Sequence, residues 1–406
     1  MSLSEIRSQF PILDSQVYGT PLVYLDNAAT SQRPVSVLDR QAQLAGQHNA
    51  NIHRAVHRLA IEATDAYEAA RDKVKTFLNA EAREEIIFTS GATAAINLVA
   101  YSFGEKFVEE GDEVLVTVEE HHSNIVPWQL LCKRKKASLK VLDIRENGEL
   151  DIESLEKSIS QRTKIAAITH ISNVLGLVNP VQEIVRICHE KGVPVLVDGA
   201  QGIVHEAVDV QSLDCDFYAF SGHKMYAATG TGVLYGKRKW LEQMPPFLSG
   251  GEMIGTVSFA ETTFAPLPAR FEAGTQNFNA VPTFEPAIDF LLACRQDPQV
   301  QQEQERIVDY VMDAFAADDR IVLYGVPRRT KVPVFSFAVK GAHHEDLALI
   351  LDKMGIALRS GQMCAEPLMD RLGVTGLLRA SFAPYNTQQE AVYFVKSLKR
   401  AINMLI

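Results

Sequence analysis

Two charged side chains stand at the ends of apolar runs in the stretch from Val195 to Tyr226. Asp198 closes Val195-Leu196-Val197-Asp198, and Lys224 follows Phe217-Tyr218-Ala219-Phe220-Ser221-Gly222-His223. The runs Val193 to Val197 and Phe217 to Phe220 lack strict alternation, which predicts strands buried on both faces. In an open α/β sheet, ligands sit at the carboxyl edge of the strands, so Asp198 and Lys224 are expected to converge on one bound molecule. A single carboxylate and a single ammonium fit pyridoxal phosphate, which needs a lysine for its aldehyde and an acid to keep its ring nitrogen protonated. The alternative, a turn-capping aspartate and a solvated lysine, is the usual fate of either residue type. A Ser-Gly-His-Lys run between apolar strands is an unexpected place for a surface lysine.

The elements that must hold this pair follow from periodicity. Leu22 to Leu25 reads as a strand opening into Asp26-Asn27-Ala28-Ala29-Thr30, whose small residues permit close backbone approach to a ligand. Glu85 to Thr89 is a strand, and Ser90-Gly91-Ala92-Thr93 leads into a helix, a junction that presents free N–H groups to a phosphate. The strand Glu113 to Val118 runs to Glu119-Glu120-His121-His122, where an imidazole can lie on a pyridine ring or exchange protons. Further strands at Leu139 to Ile144 and Lys164 to Ile171 alternate with helices, which predicts a mostly parallel sheet. Gly230 to Tyr235 is expected to pair antiparallel with Phe217 to Phe220. Pro245 to Asn279 shows no period and reads as a long loop region.

Helices near Pro282 to Cys294 and Glu303 to Ala316 lead to a second module. Its strands are expected at Ile321 to Tyr324, Val334 to Val339, Ile356 to Arg359 and Leu377 to Phe382, its helices at Glu345 to Met354 and Gln388 to Ile402. The expected division is a large domain over 22–290 and a small α+β domain formed by 1–21 and 291–406, with the N-terminal helix packed on the latter.

Composition sets the outer limits. At 406 residues, 47% hydrophobic and with a net charge of −10, the chain is globular and a poor match for nucleic acid or anionic membranes, whose binders cluster lysine and arginine. No apolar stretch reaches the ~20 residues of a membrane helix, and Glu5 and Arg7 interrupt the start where a signal peptide would be apolar. A cytoplasmic location is expected. Five cysteines, at 132, 188, 215, 294 and 364, form no Cys-x-x-Cys pair, so neither a disulfide framework nor zinc is predicted. His53 and His57 have helical ligand spacing, but Arg54 stands where the His-Glu-x-x-His motif needs glutamate.

Taken together, these motifs resemble the fold-type I pyridoxal-phosphate enzymes of class V, and within them the group II cysteine desulfurases of the SUF type, also described as selenocysteine lyases. The similarity runs from Tyr24-Leu25-Asp26-Asn27-Ala28-Ala29 through His121-His122-Ser123-Asn124, Val197-Asp198-Gly199-Ala200-Gln201 and Ser221-Gly222-His223-Lys224. It continues to Arg270-Phe271-Glu272-Ala273-Gly274-Thr275, Arg359-Ser360-Gly361-Gln362-Met363-Cys364 and Arg379-Ala380-Ser381. The resemblance implies a large domain with a seven-stranded, mostly parallel sheet and a smaller α+β domain. It implies that Lys224 holds the cofactor aldehyde, Asp198 pairs with the ring nitrogen, His121 stacks on the ring and Gln201 bonds the ring oxygen. Thr93, Ser221, His223 and Thr275 would hold the phosphate, Thr275 reaching across a homodimer interface. Ala28, His53, Asn173, Arg359 and Arg379 would form the substrate pocket, and Cys364 would be the nucleophile that takes sulfur from L-cysteine, with L-selenocysteine a further substrate. A sulfur-acceptor protein of the SUF system is the implied partner. Family members often carry His-His where this chain has Gln362-Met363, and an acidic residue where it has Ala94. A class V aminotransferase or kynureninase-like enzyme would use the same Lys224 and Asp198 without Cys364, and a non-catalytic binding protein would have no need of the set.

Overall fold

The structure is a computed structural model and describes residues 3–406. Its centre is a seven-stranded sheet of β1 (Ile86–Thr89), β2 (Glu113–Thr117), β3 (Ser138–Leu142), β4 (Thr163–Thr169), β5 (Val195–Asp198), β6 (Phe217–Ser221) and β7 (Gly232–Gly236), in the order β1-β7-β6-β5-β4-β2-β3. The run β3-β2-β4-β5-β6 is parallel. Only β7 is reversed, between β6 and β1, in the antiparallel pairing expected for Gly230 to Tyr235. Every residue of β5, β6 and β7 is buried, as continuous apolar runs require when helices cover both faces. Because six of the seven strands point the same way, Thr89, Thr117, Thr169, Asp198 and Ser221 all end at one edge.

A second sheet of β8 (Ile321–Tyr324), β9 (Val334–Val339), β10 (Arg359–Gly361) and β11 (Leu377–Ser381) is antiparallel, in the order β8-β9-β11-β10. It shares an apolar cluster with helices Pro298–Ala316, His344–Lys353 and Gln388–Leu405. The last of these starts at a capping box: Thr387 Oγ1 accepts from the Glu390 N–H, and Glu390 Oε2 from the Thr387 N–H, so two otherwise orphaned donors are satisfied.

Three expectations differ from the structure. The expected strand Ile356 to Arg359 divides: Ile356–Ala357 pairs in parallel with Val23–Tyr24, and Arg359 enters the second sheet. Val23 and Leu25 accordingly pack in the smaller core, whereas Ile6, Phe10 and Leu13 pack in the larger one, where the Phe10 ring meets Phe290 at 5.2 Å. The N-terminal helix, Leu3–Arg7, therefore sits where the two modules meet: Ile6 and Phe10 join the larger core, while Arg7 Nη1 donates to Tyr385 O at 3.2 Å and pairs with Glu390 at 2.9 Å. The aperiodic stretch Pro245 to Asn279 contains an exposed hairpin, Ile254–Val257 with Thr262–Phe264. Its closing turn is held by the Ser258 N–H donating to Glu261 O. Both faces of this hairpin are exposed, so it left no alternating pattern to read.

Candidate functional site

At the carboxyl edge of the large sheet lies a cavity of about 310 Å³, lined by Ala28, Thr93, His121, Asn173, Asp198, Gln201, Ser221, His223, Lys224, Arg359, Cys364 and Arg379, together with Ser123, Thr169 and Met363 among others. A larger adjoining cleft of about 450 Å³ shares Ala28, Gln201 and Lys224 but not Asp198, His121 or Cys364; only the smaller one brings Lys224 together with all three.

Each wall is set by a strand end. Asp198 is the last residue of β5, only 4% exposed, and its Oδ1 accepts from the Ala200 N–H at 2.9 Å. Burial pushes its carboxyl up, against the opposing pull of the Lys224 charge. Lys224 follows β6 by three residues, and burial lowers it below the usual ammonium value while Asp198 works the other way. A buried amine of lowered basicity is what proton abstraction and Schiff-base chemistry need.

His121 lies beyond the end of β2. Burial, with the charges of Lys224, His122 and Arg379, pushes its imidazole down to about 3. The Ser123 N–H donates to Nδ1 at 3.1 Å, which leaves the ring neutral with its proton on Nε2. Glu120, fully buried, anchors this segment by accepting from Thr117 Oγ1, the Thr169 N–H and Asn124 Nδ2 at 2.7–2.8 Å.

The residues present fit pyridoxal phosphate. Helix Ala92–Phe107 opens at the rim with Thr93 in its first turn, beside the Ser221 hydroxyl, which already accepts from the Ala92 N–H at 2.8 Å. Close approach is built in: a Cβ on Gly232 would lie 2.4 Å from the Gly91 Cα, so only glycine lets β7 support this turn. His223 is held neutral, down to about 4, by burial and the Lys224 and Arg33 charges. The donor set is thus hydroxyls, a neutral imidazole and a helix N-terminus for a phosphate, a carboxylate for a ring N–H, an amine for an aldehyde. One N–H of Gln201 donates to Ala28 O at 2.7 Å, and its second is left for an acceptor in the cavity.

The opposite wall comes from the second sheet. Arg379 on β11 is 3% exposed; its Nη1 donates to Asn173 O at 2.9 Å and its Nη2 to Asp26 Oδ1 at 3.2 Å, while Nε is buried with no partner. A buried guanidinium N–H without an acceptor, at the edge of a cavity, is suited to a substrate carboxylate. Arg359 sits beside it in register on β10 and approaches Asp26 Oδ2 at 3.7 Å. Asp26 therefore orients both arginines. Sequence reasoning placed Asp26 only in a small-residue loop; its position at a strand end, beside two arginine motifs far along the chain, was the signal. Ser381 was also missed: its hydroxyl accepts from the Ala28 N–H at 2.9 Å. So was Ser123.

Cys364 is exposed, and the other four cysteines are buried. Burial raises the thiols of Cys132, Cys188, Cys215 and Cys294, so they are inert packing residues. Met363 and Cys364 both have φ 56°, a left-handed conformation that side chains disfavour by roughly 1–2 kcal/mol per residue.

Two expected site residues do not line this cavity within one chain. His53 is exposed, with its Nε2 at 3.3 Å from Glu68 Oε1. Thr275 lies on a loop that starts from Glu272, a buried carboxylate accepting from Arg71 at 2.7 and 2.9 Å, Tyr67 Oη at 3.0 Å and the Phe88 N–H at 2.7 Å. Glu68 also accepts from Arg71, so one arginine fixes the supports of both residues. His57 caps helix Arg58–Leu78 by accepting from the Ala60 N–H. Among the described residues no group of three or more side chains is arranged to hold a metal ion, and no helix is long and apolar enough to cross a membrane.

The aminotransferase class-V model matches residues 23–394. A probable cysteine desulfurase of Halalkalibacterium halodurans is 46% identical over 400 residues, covering 98% of each chain, and a cysteine desulfurase of Cronobacter sakazakii is 45% identical over 100% of this chain and 99% of its own. The crystal structure of the cysteine desulfurase CsdA from Escherichia coli superimposes over the full length of both chains with a TM-score of 0.92 at 38% identity. With its cavity built on Asp198 and Lys224 and a family match over nearly all its length, the chain belongs to the aminotransferase class-V family.

Proposed function

We infer that the chain is a pyridoxal-phosphate-dependent cysteine desulfurase that converts L-cysteine to L-alanine and retains the sulfur on Cys364. The observation that carries this reading is that the one exposed cysteine lines the same cavity as Lys224, Asp198, His121 and Arg379. An aminotransferase has no use for a thiol there.

Bound pyridoxal phosphate supplies an electron sink in conjugation with the substrate α-carbon. Asp198 would pair with the ring nitrogen's proton and so keep that sink charged. Thr93, Ser221 and His223 would hold the phosphate, Gln201 the ring oxygen, and His121 would lie against the ring. Arg379 and Asn173 take the substrate carboxylate, with Arg359 beside them and the Ala28 backbone leaving room. Lys224, a buried amine of lowered basicity in the same cavity, would take the α proton. The Cys364 thiolate attacks the substrate sulfur, so that an S–S bond forms as the substrate Cβ–S bond breaks, and Cβ keeps the electron pair and takes a proton. His121, neutral with a proton on Nε2, is placed to supply it. Cysteine plus one thiol becomes alanine plus one persulfide, and no outside oxidant is needed.

The finer reading adds a homodimer, in which Thr275 and His53 serve the other copy's cavity; their outward placement on supports shared through Arg71 agrees with this. It adds L-selenocysteine as a second substrate, a thiol-bearing acceptor of the SUF system for iron–sulfur assembly, and a cytoplasmic setting, in keeping with five unpaired thiols. Product analysis tests the core: incubation with L-cysteine should yield equal amounts of alanine and protein-bound or reductant-released sulfur. A keto acid product would favour the aminotransferase reading instead.

A further inference from the structure

Cys364 lies between β10, which ends at Gly361, and helix Glu366–Leu372. Two successive left-handed residues with side chains, Met363 and Cys364, persist only where surrounding bonds over-determine them. Asn173 Nδ2 donates to Met363 O at 2.9 Å, and the Ala365 N–H to Gln362 O at 3.0 Å. The other two bonds both come from His122. Its backbone N–H donates to Cys364 O at 2.8 Å, and its Nε2 accepts from the Glu366 N–H at 3.1 Å. The Glu366 bond brackets the nucleophile from its far side, so His122 holds the turn immediately before and after Ala365. It also follows His121 directly, which makes the ring-facing imidazole and the clamp on the nucleophile neighbours in one short segment. Met363, only 5% exposed, packs into the large apolar core; no imidazole comes from the turn itself.

We propose that His122 is a positioning residue, whose ring acceptor and backbone donor set the Cys364 turn against the cofactor cavity. The proposal rests on the reading of Cys364 as the sulfur acceptor. His122 touches neither substrate nor cofactor in this scheme; it acts through the placement of the thiol, where a misplacement near 1 Å can change a rate by about 10²-fold.

The test uses the holoenzyme and two readouts. Native alkylation by iodoacetamide reports Cys364 alone, since the other four cysteines are buried. H122A, which removes the ring acceptor, is expected to alkylate several-fold faster as the turn loosens. It should lose about tenfold or more in kcat for alanine release from cysteine, with little change in KM and an unchanged cofactor absorption band. H122Q, whose amide oxygen can accept from the Glu366 N–H, should restore both readouts, while H122F, which fills the space without an acceptor, should not. If H122A does not fold, the contrast between H122Q and H122F carries the same information. Wild-type alkylation and turnover in H122A, or equal behaviour of H122Q and H122F, overturns the proposal. C364A serves as the separate control: full cysteine turnover in that variant defeats the sulfur-acceptor reading, while the alkylation rates still judge what His122 does to the turn.

Discussion

The two walls of the cavity are built to opposite specifications. On the large-sheet side, Asp198 is buried at the end of an all-buried strand and His121 is pinned by Ser123 and the buried Glu120. On the second-sheet side, Cys364 is exposed on a turn of two left-handed residues held by four hydrogen bonds. The difference follows from what each wall must do. Stabilising charge at an α-carbon needs fixed groups in a dry site, where they act without reorganising. In the proposed function, accepting sulfur calls for a thiol that is not sealed in the core. Arg379 bridges the two: it sits on the second sheet but is buried and bonded to Asn173 of the first wall.

The largest effect should come from the rigid wall. Lys224→Ala removes both the amine that releases product and the base for the α proton, and loss of a positioned base alone lowers rates by ~10²–10⁴. Alanine formation in single-turnover assays should nearly disappear, whereas the cofactor should still bind through the phosphate and Asp198 contacts. Near-normal alanine release would remove the rigid wall from the chemistry.

Cys364→Ala tests the accessible wall, and its effect should depend on substrate. Cleavage of the carbon–sulfur bond in cysteine needs the thiolate, so persulfide and alanine should nearly vanish. A selenol leaves more readily, so alanine release from selenocysteine should persist with the intact Lys224 and Asp198. Parallel assays on both amino acids check this; equal loss on both would give Cys364 a role in the first wall as well.

The bridge should show an intermediate effect. Arg379→Lys keeps the charge but loses the planar fork and its bonds to Asn173 and Asp26, and charge-assisted hydrogen bonds contribute ~1.5–3 kcal/mol. A fall of about 10- to 100-fold in kcat/KM for cysteine is expected, chiefly in KM. An unchanged KM would mean that the carboxylate is bound elsewhere.

The effect least visible in activity belongs to the scaffold under the rigid wall and is read as stability. His170, 6% exposed beside Tyr218 Oη at 2.9 Å, is pushed by burial down to about 4 from an ordinary value of 6.5. Between those values the unfolded chain binds a proton that the folded chain refuses, so folding stability falls as pH drops from about 6.5 to about 4 and is untouched above that window. The slope is ~1.4 kcal/mol per pH unit, about 3 kcal/mol over the whole window. Denaturant midpoints measured across this range should show a shallower fall in His170→Asn than in the parent, and identical slopes would mean that His170 is protonated in the fold.

Much of the rigid wall was legible in the chain because its parts are local. Val195–Asp198 and Phe217–Ser221 announce themselves as buried strands, and each places its functional side chain at or just past its own end. The same logic pointed to His121 and to the helix-start turn at Thr93, whereas the roles of Ser221 and His223 came from the family resemblance. The second wall was harder to read, since its meaning depends on partners far away in sequence. Asp26 lies 353 positions from Arg379, and no periodicity marks that pair. The exposed hairpin at Ile254–Val257 escaped for a different reason: with neither face buried, it carries no alternation.

Local sequence by itself determined the β-α alternation, the parallel sheet edge and the identity of the groups that end there, because burial writes apolar runs into each strand and chain direction fixes which end carries the charge. Tertiary structure decided which of those groups share a cavity. It alone turned Asp26 toward both arginines, left Arg379 Nε without a partner, and placed His53 and Thr275 outside the cavity of their own chain. It also set Cys364 on a turn clamped by His122. These are outcomes of packing between elements far apart in sequence, with the two sheets separated by more than eighty residues, and the stabilising contacts come into being only when both sheets are in place.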